Sequence, residues 1–152
     1  MGTGTGVSGV WLLRGMRADG VLTTIDIEGE HQRGARRVFA DAGFAPSRTR
    51  IITGRALDVL PRLADGAYDL IFVDHDASEY APAVNAAARL LRPGGVLVLG
   101  AALASGRVTD PAVRDPDTVA LREVVKALRE AEEWIPALLP ISDGLLCAVK
   151  RG

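Results

Sequence analysis

The sequence predicts a doubly wound α/β fold whose sheet is mostly parallel and ends in an antiparallel hairpin. Short apolar runs rich in Val, Ile and Leu alternate along the chain with segments of helical period. These runs are continuously apolar, which is typical of strands covered on both faces, as in a parallel sheet. Alternation of strands and helices favours right-handed crossovers that place helices on the faces of such a sheet.

The first two thirds of the chain contain the alternating elements. Strands are predicted over residues 21–26, 50–53, 70–74 and 96–99. Helices are predicted over residues 7–16, 30–43, 58–64 and 79–91. The strand over 96–99 follows a turn at residues 92–95, where a proline and two glycines interrupt the regular pattern.

The last third of the chain has a different order of elements. A helix with an apolar face is predicted over residues 117–132, followed by strands over 134–139 and 144–149. Two strands joined by so short a connection pair as a hairpin, so one edge of the sheet turns antiparallel. The irregular stretch over 101–116 is the longest loop, and loops of that length are often functional.

Length and composition exclude several classes of protein. The chain has 152 residues, 24% of them charged, with a net charge of -1. This length predicts one domain over residues 1–152, and this charge offers no general attraction to nucleic acid or to an anionic membrane. A single cysteine excludes a disulfide framework, and no apolar run approaches the roughly 20 residues of a membrane span. No signal peptide is recognised, so a cytoplasmic protein is expected.

A glycine-rich segment precedes the first predicted helix. Residues 2–9 contain four glycines, which allow a tight turn and a close approach of the backbone to a ligand. The free N–H groups at the start of a helix favour an anionic group. Asp26 ends the next strand, where an acidic side chain can accept hydrogen bonds from ribose hydroxyls. The alternative is a turn whose glycines serve packing alone.

A second alternative is a dinucleotide site, because Gly4, Gly6 and Gly9 match the G-x-G-x-x-G spacing. The terminal hairpin and the absence of a recognisable hydride-transfer constellation argue against NAD. Tyr80, for example, is followed four residues later by Val84 rather than by a lysine. An NAD-dependent oxidoreductase is therefore ranked low.

Five segments together resemble a known family. They are residues 2–9, 24–27, 53–56, 72–76 and 91–96, in the order found in class I S-adenosylmethionine-dependent methyltransferases. More narrowly, the chain resembles the cation-dependent O-methyltransferases of the catechol and caffeoyl-CoA type, particularly their bacterial members. The resemblance implies a Rossmann-like domain, S-adenosylmethionine as cofactor, and methyl transfer to a hydroxyl of a small aromatic acceptor. It also implies a homodimer.

The resemblance implies roles for residues near the N-terminus. Gly2, Thr3 and Gly4 match the turn that passes under the cofactor. Ser8 matches a serine that holds the methionine carboxylate, which agrees with its place at a helix N-terminus. Asp26 matches the acid that binds the ribose.

Further roles follow from the later segments. Gly54, Arg55 and Ala56 match the backbone beside the adenine. Asp74 matches a strand-end carboxylate that lies near the methyl donor and also binds the metal, which makes it the candidate catalytic residue. The alternative for Asp74 is a simple helix N-cap.

The metal site of the resembled family is not retained. In that family a divalent cation lowers the pKa of the acceptor hydroxyl and orients it. Its other ligands are an Asp-Asn pair ending the fifth strand, where this chain has Gly100 and Ala101, and its lysine base is replaced by Ala77. Asp74 is the one retained ligand, so metal dependence is not predicted. The spacing recommends no replacement among His75, Asp76, Asp110 and Asp115.

The start of the sequence also differs from the resembled family, which has helices and a first strand before the glycine turn. That strand lies at the centre of the sheet, so the strands ending in Asp26 and Asp74 are expected to lack a neighbour. A truncated chain is expected on this ground. The alternative function is a catalytically degenerate remnant that binds the cofactor weakly or not at all.

Overall fold

The structure is a computed structural model that describes residues 1–152. The chain divides into two compact units, Met1–Leu60 and Pro61–Gly152. Both units contain helices and strands, as the sequence predicts. No helix is both long enough and apolar enough to cross a membrane.

The first unit contains two strands and three helices. In chain order they are α1 (Val7–Gly15), β1 (Leu22–Asp26), α2 (Gly29–Asp41), β2 (Thr49–Thr53) and α3 (Ala56–Val59). β1 and β2 are parallel, with Asp26 opposite Thr53. The helix predicted over 58–64 is instead the short α3 followed by a 3-10 turn at Leu60–Arg62. Pro61 explains the difference, because proline has no N–H for a helical hydrogen bond.

The core of the first unit lies where α1 packs against α2. Leu13, Ala35 and Phe39 are buried there, 0–2% exposed. A Cβ atom on Gly9 would lie 2.6 Å from the Phe39 ring. Glycine at this position therefore allows the two helices to approach closely.

The second unit contains four strands and two helices. They are β3 (Tyr68–Val73), α4 (Tyr80–Leu90), β4 (Leu91–Leu99), α5 (Pro116–Glu130), β5 (Trp134–Leu139) and β6 (Leu145–Lys150). The strand order is β3-β4-β6-β5. β3 and β4 are parallel, whereas β6 is antiparallel to both β4 and β5. The predicted hairpin is present, and the sheet of this unit is mixed.

β4 begins five residues earlier than the predicted strand. Leu91 pairs with Tyr68 and Val96 pairs with Leu70, so the turn over residues 92–95 bulges out of the ladder. Gly94 has a φ of 76°, a conformation that suits glycine. The turn predicted from proline and glycine therefore lies inside the strand, not before it.

The strands that lead to the two candidate carboxylates have a single partner each. β1, which ends at Asp26, pairs only with β2, and β3, which Asp74 follows, lies at one end of its sheet beside β4. This agrees with the expectation that these two strands lack a neighbour.

Candidate functional site

The N-terminal turn is attached to the end of β1. The Gly2 N–H donates a hydrogen bond of 3.0 Å to the Ile25 carbonyl. The hydroxyls of Thr3 and Thr24, both 7% exposed, are 2.7 Å apart. A buried polar pair of this kind satisfies both hydroxyls and holds the turn at the strand end.

Asp26 organises the same turn through its carboxylate. Its Oδ2 accepts a hydrogen bond of 2.9 Å from the Gly4 N–H, and its Oδ1 accepts one of 2.9 Å from the Glu28 N–H. The His31 Nδ1 lies 3.5 Å from Oδ1. Burial opposes ionisation of Asp26, but these hydrogen bonds and His31 lower its pKa below the ordinary value. Since a carboxylate has about four acceptor sites, Asp26 can accept further hydrogen bonds from a ligand.

The glycines of the turn have two different surroundings. A Cβ atom on Gly4, which has a φ of +50°, would meet nothing within 4 Å. Gly6, with a φ of +88°, faces Ala35, whose Cα would lie 3.1 Å from such a Cβ atom. Gly6 and Gly9 thus serve the packing of α1 on α2, whereas Gly4 leaves open space where a ligand can approach.

The remaining candidate cofactor residues of the first unit lie around the same strand ends. The Gly54 N–H donates a 2.9 Å hydrogen bond to the Asp26 carbonyl and so joins the end of β2 to the end of β1. Arg55 is the N-cap of α3, and Ala56 is its first residue. Ser8 lies in the first turn of α1. Carboxyl ends of parallel strands are the edge at which α/β sheets bind ligands.

Asp74 and Gly100 are neighbours in the second unit. They follow the parallel strands β3 and β4, and the Gly100 N–H donates a 2.9 Å hydrogen bond to the Val73 carbonyl. Asp74 is exposed. A Cβ atom on Gly100 would lie 2.8 Å from the Asp74 Oδ1 and 3.2 Å from its Cγ. The two positions that the family uses for metal ligands are therefore adjacent in this chain.

His75 follows Asp74 directly and is half-buried. Its Nδ1 lies 3.2 Å from the Asp76 carbonyl oxygen and 4.0 Å from the Glu79 Oε2. Its ring meets the Tyr80 ring edge-on, with 5.7 Å between centroids. Burial lowers the pKa of His75, so its imidazole is neutral near pH 7, and its buried Nε2 has no hydrogen-bond partner.

Tyr80 contacts the backbone at the end of β4, and the sequence did not single it out for this site. It is 2% exposed, and its hydroxyl donates a 3.0 Å hydrogen bond to the Gly100 carbonyl. Burial, reinforced by the charges of Asp74 and Asp76, raises the pKa of Tyr80 to about 12. The phenol therefore stays protonated and fixes the backbone at the end of β4. The sequence signal was weak, since a tyrosine at a helix start is ordinary.

The long loop over residues 101–116 is held by one side chain of α5. The Arg122 guanidinium donates hydrogen bonds of 3.0–3.3 Å to four loop carbonyls. They belong to Arg107, Val108, Asp110 and Val113. The same loop, α5 and Leu138 of β5 line a cavity of about 490 Å³.

A glycine turn and an acidic strand end on one parallel pair, with a second acidic strand end on another, are typical of a nucleotide-binding α/β fold. The sequence pattern of the O-methyltransferase family matches residues 1–151, and the chain belongs to that family. The Mycobacterium tuberculosis protein named "Probable O-methyltransferase Rv1220c" is 55% identical over 150 residues. The match covers 99% of this chain and 67% of the length of Rv1220c.

Solved structures that are similar to this chain support the same family. A Corynebacterium glutamicum protein superposes with a TM-score of 0.92 at 40% identity, covering 97% of this chain and 68% of that one. The O-methyltransferase TomG of Streptomyces achromogenes, solved in complex with SAM, has a TM-score of 0.90 at 30% identity. That match covers 99% of this chain and 70% of TomG. The predictions of a Rossmann-like fold and of an S-adenosylmethionine-dependent O-methyltransferase are confirmed, and the NAD alternative is set aside.

Proposed function

We propose that the first unit binds S-adenosylmethionine through the glycine turn and Asp26, and that the enzyme methylates a hydroxyl of a small aromatic acceptor. The observation that carries the proposal is the geometry of Asp26. Its carboxylate is ionised, is held by two backbone N–H groups and has acceptor sites left for ribose hydroxyls. The open space beside Gly4 supports a close approach of the cofactor to the backbone.

The other cofactor contacts follow the same edge. Ser8 and the N-terminus of α1 favour the methionine carboxylate, because a helix N-terminus attracts an anion. Gly54, Arg55 and Ala56 follow β2, and they are proposed to lie beside the adenine. TomG, which is 30% identical to this chain, was solved with SAM bound, and this supports the assignment.

The reaction is a direct displacement at carbon. An oxygen lone pair of the acceptor forms the new C–O bond, the C–S bond breaks, and its electron pair stays on sulfur to give neutral S-adenosylhomocysteine. Asp74 is the proposed catalytic residue: its exposed carboxylate accepts a hydrogen bond from the acceptor hydroxyl and orients the oxygen. The hydroxyl proton passes along this hydrogen bond to the carboxylate, which then releases it to water.

We also propose the domain organisation, the class of acceptor, the oligomeric state and the location of the enzyme. Residues 1–152 act as one methyltransferase domain, as the family match over 1–151 supports. The acceptor is a small molecule, two copies form a homodimer, and the enzyme works in the cytoplasm. The net charge of -1 gives no reason to expect a nucleic-acid or membrane partner.

Titration calorimetry with S-adenosylhomocysteine tests the role of Asp26. Asp26→Ala is expected to weaken binding by roughly 1–3 kcal/mol, because it leaves ribose hydroxyls without an acceptor. Asp19→Ala is the matched control, since the exposed Asp19 pairs only with Arg17 in the same unit. Unchanged affinity in a folded Asp26→Ala variant, or tight binding of NAD in place of S-adenosylhomocysteine, would refute the proposal.

A further inference from the structure

The residues at the end of β4 do not fit the divalent cation that the resembled family uses. Mg²⁺ takes near-octahedral oxygen ligands, several of them usually waters, and its affinity for a protein site depends on the carboxylates that the site supplies. Gly100 and Ala101 occupy the positions of the expected Asp-Asn pair, and neither side chain carries an oxygen. Only Asp74 remains at this site.

The Asp74 carboxylate lies against Gly100. A Cβ atom on Gly100 would lie 2.8 Å from the Asp74 Oδ1, a separation that real Cβ contacts do not show. A side chain at position 100 would therefore require the Asp74 carboxylate to shift from its present orientation. Because glycine has no Cβ atom, Gly100 allows the present orientation of the Asp74 carboxylate.

Two aspartates that follow the strand ends in sequence, Asp76 and Asp110, accept hydrogen bonds from backbone N–H groups of their own loops. The Asp76 Oδ1 accepts a 3.0 Å hydrogen bond from the Ser78 N–H at the start of a 3-10 turn. The Asp110 Oδ1 accepts one of 2.9 Å from the Ala112 N–H. Each of these aspartates stabilises its own loop, and neither belongs to a group of three side chains that could hold a metal ion.

Asp115 and His75, the two other potential metal ligands, also make contacts that do not involve a metal. Asp115 caps α5 through a 3.0 Å hydrogen bond from the Thr118 N–H. The His75 Nε2 is buried away from solvent, and its Nδ1 faces the Asp76 carbonyl. No group of three His, Cys, Asp or Glu side chains is arranged to hold a metal ion.

We infer that this enzyme transfers the methyl group without a divalent cation at Asp74. Gly100 is the residue that distinguishes it from the cation-dependent O-methyltransferases that it resembles. The inference rests on the proposed function. Without a cation there is no need for two neighbouring hydroxyls that chelate it, so an acceptor with one aromatic hydroxyl suffices. The hydroxyl hydrogen-bonds directly to Asp74, which takes its proton as the C–O bond forms and then releases it to water.

Manganese binding, followed by the EPR signal of free Mn²⁺, tests the inference with the metal alone as probe. The unmodified chain is expected to bind Mn²⁺ with a Kd weaker than about 1 mM, the limit of weak oxygen sites. The double variant Gly100→Asp, Ala101→Asn is expected to bind at least about tenfold more tightly, since affinity grows with the number of charged ligands. Ala101 has a φ of 48°, which asparagine adopts readily, so this position accepts the change.

Two single variants complete the experiment. Gly100→Ala displaces the Asp74 carboxylate without adding an oxygen, so it should bind Mn²⁺ no better than the unmodified chain. Tight Mn²⁺ binding by the unmodified chain that is lost in Asp74→Asn would overturn the inference. Tight binding that persists in Asp74→Asn would place the ion elsewhere and support it. S-adenosylhomocysteine affinity, measured on the same samples with EDTA, reports separately on the proposed function.

Discussion

Asp26 stabilises the N-terminal turn and is also a proposed ligand of the cofactor. Its carboxylate accepts hydrogen bonds from the Gly4 and Glu28 N–H groups, so it shapes the turn that is proposed to pass under the cofactor. The acid at the end of the strand was predictable, because it follows a short apolar run and a glycine-rich turn. Its hydrogen bond from the Gly4 N–H was not predictable, because it joins residues 22 positions apart.

Acid titration is expected to reveal these hydrogen bonds. The pKa of Asp26 is lower in the folded chain than its ordinary value of 3.8. Its contribution to stability is therefore complete above about pH 4 and is lost as the pH falls through the lower folded pKa. The difference in unfolding free energy between the unmodified chain and Asp26→Asn should be larger near pH 6 than near pH 3. Chemical denaturation at both pH values measures it, and an equal difference would contradict the assignment.

Among the secondary-structure elements, the strands were predicted more closely than the turns. The predicted bounds of the first two strands differ from the observed ones by one residue at most, because continuous apolar runs mark buried strands clearly. The turn over 92–95 lies within β4, since the parallel ladder with β3 resumes on both sides of it. Pairing across a sheet decides where a strand begins, and local sequence does not contain that information.

The loop over 101–116 depends on α5 for its shape. Arg122 donates to four loop carbonyls, and hydrogen bonds from a charged donor are among the stronger ones in proteins. Arg122→Met should lower the free energy of unfolding by roughly 1–3 kcal/mol and speed proteolytic cleavage in the loop. Arg129→Met is the matched control, because Arg129 is an exposed arginine of the same helix. Equal urea denaturation curves for the two variants would show that the loop holds its shape without Arg122.

At the scale of the whole molecule, the two units contain different parts of the predicted site. The first, Met1–Leu60, has the glycine turn, Asp26 and the segment at Gly54, whereas the second has Asp74 and Gly100. The family match covers both units. Single-sequence motifs identified the family because five short segments occur in one order, which chance rarely produces.

Cofactor binding should stabilise the folded chain as a whole. A ligand that binds only the folded state adds about 2.7 kcal/mol when its concentration is a hundred times its Kd. S-adenosylhomocysteine is therefore expected to raise the melting temperature in a concentration-dependent way, while NAD at the same concentrations leaves it unchanged. Scanning calorimetry measures both, and the increase should be reduced in Asp26→Ala. A shift with NAD alone would contradict the assignment of the cofactor.

The sequence by itself determined the alternation of elements, the glycine turn, the acidic strand ends and the family, because these depend on local patterns and their order along the chain. Only the tertiary structure decided that Gly4 is open while Gly6 and Gly9 pack against α2. It alone brought Gly100 against the Asp74 carboxylate, 26 positions away in the sequence. Such contacts depend on which strands lie side by side, and neighbouring strands are set by the burial of the whole chain.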